Sequence, residues 1–72
     1  MSKNLKETVA RNLQKDRESR GMTHTAYAKG IGSTRTTMYL YETGKRLIPT
    51  DTLYRIYDAY GTTPNEILGV KD

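Results

Sequence analysis

Thr23 to Gly44 reads T-H-T-A-Y-A-K-G-I-G-S-T-R-T-T-M-Y-L-Y-E-T-G, and the reading of this stretch decides the fold. The spacing predicts a helix, a tight turn and a second helix. The first helix opens after a capping hydroxyl at Thr23 and turns Tyr27 and Ala28 inward. It breaks at Gly30-Ile31-Gly32, where two glycines permit positive φ and a sharp change of direction. The second starts at Ser33-Thr34, carries Met38 and Tyr41 at helical spacing, and ends at Gly44. Arg35, Thr36, Tyr39 and Leu40 fall on its other flank.

Outward from this unit the signals are again helical. Asn4 is placed to cap a first helix, with Glu7 three positions on to reach back and close the box. Leu5, Val9 and Leu13 mark its inner stripe, and it stops near Arg20-Gly21. Lys45-Arg46-Leu47-Ile48 reads as a basic, partly apolar loop that sets two cations beside the end of the preceding helix. A fourth helix is expected from Thr50 to Tyr60, with Asp51 at its positive end and Leu53, Ile56, Tyr57 and Tyr60 as its apolar face. Thr63-Pro64-Asn65-Glu66 is the clearest start signal in the chain: a threonine cap, proline at the first helical position and glutamate three after the cap. Ile67 and Leu68 follow, either closing the core or forming, with Val70, an apolar patch. The expectation is an all-α fold, a single small bundle of about five helices, forming one domain over residues 1–72 with its helix-turn-helix unit at about 23–44.

Composition narrows the class. The chain has 72 residues, 35% of them hydrophobic, with one histidine and no cysteine. A core this thin rests on well-packed short helices, since no disulfide or zinc staple is at hand. The first twenty residues are polar and charged, unlike a signal peptide, and no run is long enough to span a bilayer, so a cytoplasmic protein is expected. Charge is unevenly placed. Residues 1–46 hold ten Lys or Arg against Glu7, Asp16, Glu18 and Glu42, a net of +6, whereas residues 47–72 carry a net of −2. Such a footprint suits a polyanion or simply a solvated basic face. One histidine and no cysteine, paired acids or glycine-rich phosphate loop leave no constellation for catalysis, and His24 has too few companions to hold a metal. No enzyme, cofactor or small-molecule substrate is expected.

From about Leu13 to Leu68 the chain resembles the Cro and phage-repressor type of helix-turn-helix family. The likeness is carried by Arg17, Met22-Thr23, Ala28, Gly32, Met38, Tyr41-Glu42-Thr43-Gly44, Pro49, Leu53, Ile56 and Tyr60, with Ala28 and Glu42 at the family's spacing of fourteen. Asp16, His24, Ser33 and Tyr57 depart from its usual pattern. The resemblance implies a lambda-repressor-like fold in which Arg17 and Glu42 form a structural ion pair between the first and third helices. The short length and the opening M-S-K-N-L-K-E-T-V also resemble the phage modulators of repression encoded beside a repressor gene. That likeness implies a regulator of the lysis/lysogeny switch in a bacterial host, with the cognate CI-type repressor as its partner.

Two ligands therefore stand open for one surface. If the ligand is operator DNA, Ser33 to Thr43 enter the major groove. Arg35 then reads guanine O6 and N7, a contact worth about 1–3 kcal/mol of discrimination. Thr36, Thr37 and Tyr39 add base or methyl contacts, while Thr23, His24, Thr25, Lys45 and Arg46 hold phosphates. A homodimer or a mixed pair is then needed, because one module this size makes few base contacts. If the ligand is the repressor, Thr36, Thr37, Tyr39 and Leu40, with Leu47 and Ile48 beyond, offer a tyrosine-bearing surface suited to protein. Tyr39 and Tyr54 are the tyrosines hardest to place inside.

Overall fold

Where each helix begins and ends follows from side chains that satisfy the free amides and carbonyls of its terminal turns. The computed structural model describes residues 4–71, and these form five helices and no strand: α1 Leu5–Ser19, α2 His24–Gly30, α3 Arg35–Glu42, α4 Thr50–Tyr60 and α5 Pro64–Leu68. The Thr23 hydroxyl accepts from the Ala26 amide at 3.1 Å and that of Thr34 from the Thr37 amide at 3.2 Å. Thr63 caps α5 at 3.2 Å while Glu66 accepts from the Thr63 amide at 3.1 Å, a complete capping box. Replacing Thr63 by alanine removes the hydroxyl, and with it the bonds to the Glu66 amide and carboxylate, while the backbone amide at 63 still has Glu66 to donate to. The expected cost is about 1 kcal/mol, read as a fall of about 4–8 °C in the melting temperature.

At Asn4 only half of the expected box forms. Its side-chain oxygen accepts from the Lys6 amide at 2.9 Å, and Glu7 does not reach back.

The α2–α3 turn is a Schellman closure, in which the Ser33 amide donates to Ala28 O at 2.8 Å and Gly32 takes φ 68°. Of the two turn glycines only Gly32 needs positive φ. Gly30 is required for another reason: a Cβ there would run into the Tyr60 hydroxyl.

Each helix sends residues into one core. Val9 and Leu13 of α1, Tyr27 and Ala28 of α2, Met38 and Tyr41 of α3, Leu53 and Ile56 of α4, and Ile67 of α5 are all buried, joined by Ile31 and Ile48 from the connections. α1 packs on α3 and α5, α2 on α3, and α4 on α5. Ala28, 1% exposed, leaves its carbonyl free to receive the turn. A larger side chain here would overpack the junction of α2 and α3.

Three apolar assignments differ from the sequence reading. Leu5 is 46% exposed: in the first turn of α1 no preceding turn helps to cover it, and the sealed stripe begins at Val9. Tyr57 is exposed because the inner face of α4 is rotated toward Thr52, which is buried with Leu53 and Ile56; the Tyr57 ring instead lies 6.5 Å from that of Tyr54 outside. Ile48 is buried and only Leu47 of that pair faces solvent. At the C-terminal end Ile67 is sealed and Leu68 packs against the core, whereas Val70 is exposed.

Candidate recognition surface

α3 buries Met38 and Tyr41, so a helix of eight residues must present Arg35, Thr36 and Tyr39 on the opposite side. All three are exposed, Tyr39 by 53%. Thr37 and Leu40 are half-buried. The Thr37 hydroxyl is taken up by that of Thr34 at 3.0 Å, which ties it to the helix cap. Past the helix, the Lys45 and Arg46 amides both donate to Leu40 O, at 3.1 and 3.2 Å. This fold-back fixes two exposed cations beside the C-terminal end of α3. Thr25 is exposed at the start of α2, while the Thr23 hydroxyl is occupied by its capping bond.

The orientation of α3 is set from behind by Glu42. The Arg17 guanidinium donates from Nε to Glu42 Oε2 at 2.9 Å and from its NH2 group to Oε1 at 3.1 Å, and its third nitrogen donates to Met22 O at 2.9 Å. The two side chains are 12% and 4% exposed. His24 Nε2 lies 3.2 Å from the same Oε1. Glu42 thus ties α3 to both α1 and α2. The sequence reading set His24 among the outer contacts; in the structure its imidazole is shared between this inner carboxylate and the surface, with its ring edge-on to Tyr39 at 6.3 Å.

A second polar centre, which sequence reasoning missed as such, holds α2 against the far end of the bundle. Asp16 accepts from the Tyr27 hydroxyl at 2.7 Å, from the Thr62 hydroxyl at 2.8 Å and from Arg20 Nε at 3.1 Å. Arg20 also donates to Tyr60 O and to Thr62, and its guanidinium lies 4.9 Å from the centre of the Tyr60 ring. Tyr60 stacks on Tyr27 at 4.6 Å and donates to its carbonyl at 2.9 Å. Burial alone would raise the Asp16 pKa, but the hydrogen bonds from Tyr27, Arg20 and Thr62 outweigh it and hold the carboxyl below its ordinary value. Burial, then the bond to Asp16, push the Tyr27 phenol far up.

On the solvent side, His24, Arg35, Thr36 and Tyr39 line a cleft of about 410 Å³ between α2 and α3. An exposed helix flank, flanking cations and a rigid tight turn make the layout of a groove-reading module. A model of the helix-turn-helix domain family matches residues 8–68. The chain belongs to that family. No curated protein and no solved structure matches it. Membership assigns this helix-turn-helix protein to the DNA-binding regulators of transcription, and no helix among its described residues is long and apolar enough to cross a membrane.

Proposed function

We propose that this helix-turn-helix protein regulates a phage lysis/lysogeny switch in the bacterial cytoplasm by binding the cognate CI-type repressor through its α3 face, in competition with operator DNA. The observation that carries this reading is the make-up of that face. Tyr39 stands 53% exposed and Leu47, just past the helix, 42% exposed, on a helix that offers no Gln, Asn or Lys for base edges. Exposed tyrosine buries area on binding at low entropic cost and keeps a polar tip, which favours a protein ligand. The link to a phage switch rests on the resemblance to the modulators of repression.

A second reading, a Cro-like repressor that reads the major groove with residues 33–43, draws on Arg35. That guanidinium is exposed in the first turn of α3, in the half of the chain with net charge +6. Its position suits a bidentate contact to guanine.

Light scattering after size exclusion separates the two. Mixed with the repressor, the protein is expected to form a heterocomplex that no longer retains operator DNA. Tyr39→Asp is expected to abolish that complex, because it removes the ring that buries area at the contact and sets a carboxylate of its own beside Arg35 and His24, while the helical CD spectrum stays as in the wild type. Since Tyr39 is exposed, the variant folds. A heterocomplex that survives Tyr39→Asp would refute an α3 interface. A homodimer that ignores the repressor and binds operator with a steep salt dependence would establish the Cro-like reading instead.

A further inference from the structure

The cleft between α2 and α3 has a one-sided chemistry. His24, Arg35, Thr36 and Tyr39 line it, and each can donate a hydrogen bond, through imidazole, guanidinium, hydroxyl or phenol. No acid is among them. The carboxylate beside it, Glu42, is 3.2 Å from His24 Nε2, but its side chain is only 4% exposed and both oxygens already accept from Arg17. Its charge is neutralised behind the cleft wall. Concave, cationic and without an acid of its own, the cleft is complementary to an anion.

The walls say which kind. Two of the four are rings, His24 and Tyr39, meeting edge to face at 6.3 Å and 66°. An aromatic wall shields an ion pair from water and so strengthens it. A carboxylate set in a protein surface gains from that shielding, and Tyr39, 53% exposed on the cleft wall, offers apolar area for such a surface to bury. Resting on the repressor-binding reading above, we infer that this cleft seats one Asp or Glu side chain of the protein partner, with Arg35 as its principal cation and the Thr36 and Tyr39 hydroxyls as further donors.

The test is calorimetric titration of the protein with the phage's own repressor, and separately with a mixed-sequence DNA duplex. Arg35→Ala is expected to weaken repressor binding about 10–100-fold and Arg35→Lys to recover most of the loss, with duplex binding less affected. If Arg35→Ala binds the repressor as the wild type does, the cleft is not the seat although the protein-binding reading stands. If it weakens the duplex alone, the occupant is a phosphate and the inference is overturned. Absence of any heterocomplex with folded wild-type protein removes that reading and this inference with it.

Discussion

Glu42→Ala is expected to cost about 3–5 kcal/mol, the usual penalty for removing one member of a buried ion pair. A domain of this length has roughly 4–11 kcal/mol in all, so the variant should be close to unfolded at physiological temperature. The size follows from what the substitution strands. Arg17, 12% exposed, would keep its charge inside with only the Met22 carbonyl and the exposed Glu18 carboxylate, 3.9 Å away, as partners, and His24 would lose the acceptor 3.2 Å from its Nε2. The pair itself adds little net stability relative to apolar side chains of the same shape. Arg17→Met combined with Glu42→Leu should therefore recover most of the loss in urea unfolding. The recovered protein should still bind its ligand poorly, since the tie that sets α3 against α1 and α2 is gone. A cost below about 1 kcal/mol for Glu42→Ala would mean that Arg17 finds water and that the tie is loose.

What the sequence revealed and what it hid divide by distance along the chain. Capping bonds reach two or three residues, so Thr23, Thr63 and the turn at Gly32 were legible from their neighbours alone. The inward positions of Tyr27, Met38 and Ile56 were legible because helical period sorts faces. Period does not say where a face is covered. Leu5 and Tyr57 fit the pattern and are exposed, while Ile48 has no periodic neighbours and is buried. Polar partners far apart in sequence leave no local trace. Asp16 meets Thr62 across 46 positions and His24 meets Glu42 across 18. Asp16 read as a departure from the family's usual pattern, yet it is the centre of a hydrogen-bonded network. Gly30 read as a turn glycine, and its lack of a side chain instead makes room for the Tyr60 hydroxyl that bonds the Tyr27 carbonyl. On the recognition surface, the exposure of Arg35, Thr36 and Tyr39 followed from the inward turn of Met38 and Tyr41; the cleft they share with His24 did not, because it depends on the angle between α2 and α3.

Asp16→Ala is expected to destabilise the fold by about 2–4 kcal/mol, since it leaves the Tyr27 and Thr62 hydroxyls and the Arg20 guanidinium without their common acceptor. Tyr27→Phe should cost less, about 1–2 kcal/mol, because it removes one donor and leaves Asp16 two others. The carboxyl is held below its ordinary value of 3.8 in the folded protein, so the unfolded chain binds more protons in that range. The stability contributed by Asp16 is accordingly complete above about pH 4 and is lost as pH falls through the lower folded value. Tyr27 works in the opposite sense: its phenol is raised above 10.0, so its contribution is complete below that value and is lost as pH rises through the folded one. Urea midpoints followed from about pH 2 to about pH 11 should therefore fall at both ends, with Asp16→Asn flattening the acid limb and Tyr27→Phe the alkaline one. An acid limb unchanged in Asp16→Asn would assign the loss to other carboxylates. Triple replacement by Leu at 16, Phe at 27 and Val at 62 removes the acceptor and two of its three donors, leaving Arg20, 31% exposed, to the Tyr60 carbonyl and water. It should restore stability to within about 1 kcal/mol of the wild type, which would make the network one workable solution at a position that an apolar side chain can also fill.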